Sequence, residues 1–207
     1  MINKILIFGD SISYGKWDEE GGWVARLRRF IDNKYNLQSD NNIQVYSLGI
    51  PGELAIELPD RIKDELQIRL VDPRDDVLVI FATGVNDSCP NNWRKGKQTP
   101  KAEFKKVIED LIEISKKFKC KSVFVGLLPT NPSRSKGQLF TNEEVKKYDG
   151  YITEVCSKSK IKKLELFDEL KMQNFSGLLV DAVHPNSQGH KVLSEKVIKF
   201  LSRYFGI

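Results

Sequence analysis

The chain has 207 residues, 40% hydrophobic and 29% charged, which suits a single globular domain over residues 1–207 with a sizeable core. Its net charge of +5, from 33 basic and 28 acidic residues, is spread along the chain with no basic run interleaved with aromatics, which argues against a nucleic-acid partner. No stretch reaches the ~20 apolar residues of a membrane span, Met1 to Phe8 is too short for a signal peptide, and Cys89, Cys120 and Cys156 form no C-x-x-C, so free thiols in a cytoplasmic protein are expected.

Residues 2–8 read as a first strand. Trp23, Leu27, Phe30 and Ile31 recur at helical spacing, and residues 43–48 read as a second strand. Residues 53–70 form a predicted helix, bent at Pro59. Residues 77–82 hold six apolar residues without polar alternation, the mark of a strand buried on both faces. Phe104, Val107, Ile108, Leu111 and Ile112 make the clearest amphipathic helix. Residues 122–128 read as a fourth strand, and Val145, Tyr148, Ile152 and Val155 mark a further helix. Residues 164–167 form a weaker fifth strand, and Val192, Leu193, Val197, Ile198 and Leu201 a closing helix. This βαβα alternation predicts an α/β fold: a parallel five-stranded sheet with helices on both faces.

In such a fold the functional loops follow the carboxyl ends of the strands. Ser11 follows the first strand, Gly49 the second and Asn86 the third, while Asp181 and His184 follow the fifth after a longer loop. Serine is a weak nucleophile that needs a base, and the base needs an orienting group. Three positions apart on a helical turn, the Asp181 carboxylate reaches the His184 imidazole and leaves its other nitrogen for Ser11. The other histidine, His190, falls inside a helical pattern and reads as a packing or surface residue. The Ser11 and Gly49 backbone N–H groups and the Asn86 amide are candidate donors to an oxyanion. Asp10 and Asp87 are read as supporting residues, Asp87 by ordering its own loop. No metal-ligand cluster and no nucleotide-binding glycine motif is present, so no cofactor is expected.

These segments together resemble the SGNH or GDSL hydrolase superfamily. Its four blocks match Gly9-Asp10-Ser11-Ile12-Ser13-Tyr14-Gly15, Gly49-Ile50-Pro51-Gly52, Gly84-Val85-Asn86-Asp87 and Asp181-Ala182-Val183-His184-Pro185-Asn186, in the family's order over residues 2–186. The resemblance implies a flavodoxin-like three-layer α/β/α fold and metal-free ester hydrolysis through an acyl-serine. It implies Ser11 as nucleophile, His184 as base, Asp181 as orienter, and Ser11, Gly49 and Asn86 as the oxyanion hole. Two positions depart from the family pattern: Ile12 stands in place of leucine, and Ser47 in place of an asparagine two residues before the glycine of the second block.

A small-molecule ester is therefore the expected partner, cleaved by a serine esterase of small to medium acyl groups. An acyltransferase or a carbohydrate O-acetyl esterase could use the same groups, and a non-catalytic flavodoxin-like binding module would need none of them. Trp17, Trp93, Asn91, Asn92 and Arg94 lie in or near the rim loops as candidate pocket residues, and Lys95 and Lys97 as groups favouring an acidic leaving group.

Overall fold

The computed structural model describes residues 2–38 and 42–207. The first strand, β1 (Lys4–Gly9), runs into a four-residue helix, α1 (Ser11–Tyr14), followed by α2 (Gly22–Ile31). Then come β2 (Gln44–Gly49), α3 (Leu58–Arg69), β3 (Val77–Ala82) and α4 (Lys101–Lys117). The remainder is β4 (Lys121–Val125), α5 (Asn142–Ser159), β5 (Lys162–Leu164), α6 (Phe167–Met172) and α7 (Ser187–Phe205). The five strands form one sheet in the order β2-β1-β3-β4-β5, and every neighbouring pair is parallel. This is the flavodoxin-like order.

Side chains of a strand alternate between faces, and the core divides accordingly. Leu6, Phe8, Val79, Phe81 and Phe124 pack on one side with α3, α4 and α5. Ile5, Ile7, Leu78, Ile80, Val123 and Val125 pack on the other with α2, α6 and α7. The apolar runs at residues 5–8 of β1 and 77–82 of β3 follow from this double coverage. Phe8, Phe81 and Phe124 make a tilted aromatic row across three strands, with ring centroids 6.1 and 4.9 Å apart. Among the described residues no helix is long and apolar enough to cross a membrane. The three cysteines are buried and unpaired.

Three predicted boundaries move. Pro59 lies in the first turn of α3, where its missing N–H costs no helical bond, so it starts the helix instead of bending it. The residues before it form a 3₁₀ turn, Ala55–Glu57. The fourth strand stops at Val125, and Leu127 and Leu128 are buried in the loop beyond it. The fifth strand is Lys162–Leu164 and not 164–167; Leu166 and Phe167 are buried where α6 begins. In these two cases the apolar signal came from core residues past the strand end.

One buried ion pair ties the last two strands to α5. Lys163 Nζ lies 2.9 Å from Asp149 Oδ2, and Asp149 Oδ1 accepts from Leu127 N–H at 2.8 Å. Both side chains are nearly inaccessible, at 3% and 9%. Asp149→Ala would leave the buried Leu127 N–H without its acceptor and Lys163 with the exposed Glu165 as its remaining partner, at a cost of about 1–3 kcal/mol. Thermal unfolding should then show a Tm lower by roughly 2–12 °C, with Asp149→Asn intermediate because it keeps an acceptor for Leu127.

Candidate active site

The chain leaves β1 for β2 on one side and leaves β3 for β4 on the other, so the sheet's switch point lies between β1 and β3. Ser11 follows β1 directly. Asp10 caps α1 by accepting from Ile12 N–H at 2.9 Å, which sets Ser11 as the first residue of the helix. At that position the Ser11 N–H has no intrahelical acceptor. The histidine arrives by a different device. Leu179 and Pro185 form an antiparallel bridge that pinches off the loop between them. Val180 N–H donates to His184 O at 2.8 Å, and Asn186 N–H to Leu178 O at 2.7 Å. Asn131 N–H, in the loop after β4, donates to Ala182 O at 2.8 Å. Asn186 then caps α7 through Gly189 N–H.

Ser11 Oγ lies 2.7 Å from His184 Nε2. His184 Nδ1 lies 2.7 Å from Asp181 Oδ2 and 2.9 Å from Oδ1. An ionised carboxylate only accepts, so these contacts assign the ring proton to Nδ1 and leave the Nε2 lone pair facing the Ser11 hydroxyl. The segment joining Asp181 and His184 is a bend and not the predicted helical turn. Asp181 Oδ1 accepts from Val183 N–H at 3.0 Å and His184 N–H at 2.9 Å, so the carboxylate folds the loop that carries its own partner. Burial opposes charge on Asp181, but the His184 ring and these two N–H groups outweigh it and hold the carboxyl well below its usual range. Trp17 Nε1 adds a bond to Oδ2 at 3.3 Å.

Asn86 is buried on the other side of Ser11's strand end, in the loop after β3. Its Nδ2 donates to Glu53 O at 3.1 Å, which engages one of two amide protons. Arg61 holds the Glu53 carboxylate in two bonds of 2.6 Å each, and Asn92 Nδ2 donates to Asn86 O at 2.7 Å. Asp87 accepts from Ala55 N–H at 2.8 Å and Thr99 Oγ1 at 2.7 Å, joining the loop after β2 to the far end of its own loop.

Gly49 does not join this group. Ile50 N–H donates to Gly9 O at 2.9 Å, and peptide directions alternate along a strand, so the Gly49 N–H faces the outer edge of the sheet. Its lack of a side chain serves packing instead: a Cβ there would come within 2.6 Å of Tyr14 N and 2.8 Å of Asp10 O. The glycine at the rim is Gly52, three residues on, with φ +78° and the Trp93 ring against it. Gly52 immediately precedes the residue whose carbonyl binds Asn86. It stands in the block already marked by the sequence, and only the strand end separates the two glycines.

The other candidates scatter. Asn91 bonds to Gly137 O and Leu139 N–H, Asn92 to Asn86 and Arg94, and Arg94 to Glu57, so all three brace loops. Lys95 lies 3.8 Å from Glu103, and Lys97 is exposed. Trp17 and Trp93 are exposed on the rim. His190 is fully buried, with Nε2 3.5 Å from Lys16 O. Among the described residues no three His, Cys, Asp or Glu side chains cluster to hold a metal.

The GDSL-like lipase/acylhydrolase family model matches residues 7–192. No curated protein matches the chain. Among solved structures, the acetyl xylan esterase AlAXEase is similar with a TM-score of 0.75 and 21% identity, over 96% of this chain and 99% of that one. A lipase/acylhydrolase from Enterococcus faecalis gives 0.75 and 20%, over 98% and 96%. Axe2, an acetylxylan esterase from Geobacillus stearothermophilus, gives 0.71 and 17%, over 95% and 93%. At these identities the structures share the fold.

Two carboxyls beneath the site are costly to ionise. Burial pushes Asp10 up from 3.8 to about 7, against the Ile12 N–H and with the charges of Asp87 and Glu53. Burial likewise pushes Asp87 up to about 6, against its bonds from Ala55 and Thr99. Between the ordinary and raised values the native chain holds more protons than the unfolded one, so stability falls as pH rises. The Tm should therefore decline from about pH 4 to 7 and level off above. Asp10→Asn keeps the cap on Ile12 and removes one of the two titrations. Its Tm profile should fall less over the same interval; profiles parallel to wild type would show that Asp10 does not titrate there.

Proposed function

The chain belongs to the GDSL-like lipase/acylhydrolase family and is an ester-cleaving hydrolase, and we propose that it is a serine esterase of small to medium acyl esters working through an acyl-serine. The observation that carries this reading is the run of two 2.7 Å contacts from Ser11 Oγ through the His184 ring to Asp181. Ser11 Oγ attacks the carbonyl carbon as its proton passes to His184 Nε2. Asp181 stabilises the imidazolium through Nδ1–H. The carbonyl oxygen, now charged, takes the Ser11 N–H, the second Asn86 amide proton and, in place of Gly49, the Gly52 N–H. The tetrahedral intermediate collapses, the ester C–O bond breaks, and His184 Nε2 gives its proton to the departing oxygen. Water then enters, loses a proton to the same nitrogen and attacks the acyl carbon; Ser11 leaves with that proton and the acid is released. Asp10 and Asp87 take no part in proton transfer and hold the loops that carry Ser11 and Asn86.

A carbohydrate O-acetyl ester is the second substrate reading. The acetyl xylan esterases among the structural neighbours favour it, as do Trp17 and Trp93, two exposed rings on the rim of the site.

Ser11→Ala should lower kcat/KM on 4-nitrophenyl acetate by about a thousandfold or more with the fold intact by circular dichroism. Stoichiometric labelling by a fluorophosphonate should map to the Ser11 peptide and vanish in the variant. An alanine enzyme that keeps a tenth of the activity would end the assignment.

Asn86→Ala should lower kcat by roughly ten- to a thousandfold, about 1.4–4 kcal/mol, with KM little changed. Its amide gains most once the oxygen carries charge. A rise in KM with kcat unaltered would make Asn86 a ground-state binding residue.

A further inference from the structure

We propose that the enzyme selects esters whose alcohol part carries a negative charge, with Lys16, Arg134 and Lys136 as the subsite for that charge. The inference rests on the serine-esterase reading, because that mechanism decides which part of the substrate lies where. His184 Nε2 must hand its proton to the departing oxygen, so the alcohol part leaves on the histidine's side of the site. A cleft of about 180 Å³ opens there. Asp181 to His184 line one wall, and the remainder includes Lys16, Arg134 and Lys136 together with Ser135, Gln138 and Phe140.

The charge balance of this cleft is one-sided. Its one carboxylate, Asp181, is already engaged by the His184 ring and two backbone N–H groups. None of the three cations sits in an ion pair among the described residues: Lys16 Nζ lies 5.0 Å from the Trp17 ring centroid, and Arg134 donates to Leu179 O. Among the described residues, some exposed cations elsewhere pair with carboxylates, as in Arg29–Glu20, Arg74–Asp72 and Lys147–Glu144, and others, such as Lys97, do not; these three are set apart by sharing one cleft beside His184. Three unpaired cations around a concave surface raise the local potential, and an anion entering it relieves their mutual repulsion. Arg134 is anchored at one nitrogen and keeps N–H groups for a carboxylate or phosphate, which its planar fork suits. Lys95 and Lys97, the sequence candidates for this preference, line no part of the cleft.

The test uses three acetates with one acyl group and comparable aryl alcohols: 4-acetoxybenzoate, 4-acetoxyphenyl phosphate and the neutral 4-acetoxybenzamide. Each kcat/KM is divided by the rate of hydroxide hydrolysis of the same ester. At low ionic strength at least one anionic ester should exceed the amide about tenfold, and the excess should shrink severalfold in 1 M NaCl, where the Debye length falls to ~3 Å. Whichever anionic ester is faster identifies the subsite as one for carboxylate or for phosphate. Lys136→Gln and Arg134→Gln should each lower the anionic-to-neutral ratio about threefold or more, and Lys97→Gln, outside the cleft, should not. Equal rates for the amide and both anions, or a ratio unmoved by salt and by both cleft variants, would overturn the subsite and leave the esterase standing. Hydrolysis of none of the three would overturn the esterase reading and the subsite with it.

Discussion

Ser11 and His184 are 173 positions apart in sequence, and the site depends on their side chains meeting at 2.7 Å. A hydrogen bond of that length tolerates displacements of only a few tenths of an ångström. The two loops that carry them are accordingly built into rigid surroundings. Ser11 is fixed between β1, with a neighbour on each side in the sheet, and the cap that Asp10 makes on α1. His184 is fixed by the bridge between Leu179 and Pro185, by Asp181 folding its own loop, and by Asn131 reaching Ala182 from the end of β4. The geometry of the Ser11–His184 pair is thus set by backbone bonds and by two carboxylates that bind backbone N–H groups. Side-chain packing alone would leave the imidazole free to rotate.

Opposite the histidine, polar groups do the positioning, and they do it under burial. Arg61 grips Glu53, the Glu53 carbonyl takes one proton of the Asn86 amide, and Asp87 reaches Ala55 and Thr99. These bonds lock the loop after β2 to the loop after β3, so Gly52 and Asn86 move as a unit. Burying such carboxyls costs stability, as the raised values at Asp10 and Asp87 record. The cost is concentrated at the mouth of the switch point, where order in the donors matters more than stability.

The sheet, and the convergence of Ser11 and His184 at one end of it, were legible in the chain for physical reasons. Strands covered on both faces must be apolar along their covered length, and residues 77–82 and 5–8 say so directly. Ser11 and Asn86 follow strand ends, Asp181 and His184 lie in a later loop, and all four are residue types that few other chemistries need. What escaped depended on where a strand stops. Gly49 and Gly52 look equivalent in Gly49-Ile50-Pro51-Gly52, yet β2 continues through Gly49 and turns its N–H to the edge. The i,i+3 spacing of Asp181 and His184 suited a helical turn, but a bend held by Asp181 itself gives the same reach. The cations of the cleft were invisible because Lys16 comes from the loop after α1, and Arg134 and Lys136 from the loop after β4. Nothing local in sequence marks them as neighbours of His184.

Under the proposed mechanism and subsite, the same placement gives the site two unlike halves. On one side lie backbone and amide donors, Ser11, Gly52 and Asn86, which suit a charge that exists only during the reaction. Those donors carry partial charges fixed by the fold, so they stabilise the oxyanion without drawing a permanent anion strongly into its place. On the other side lie full charges on Lys16, Arg134 and Lys136, which act on a charge the substrate brings with it. Separating the two matters. A lysine beside Asn86 would hold any anion in the oxyanion hole and block the carbonyl from reaching it. Placed beyond His184, the cations orient the alcohol without competing for the carbonyl oxygen. In the proposed reading the ester is aligned by its permanent charge at one end and cleaved by transient charge at the other.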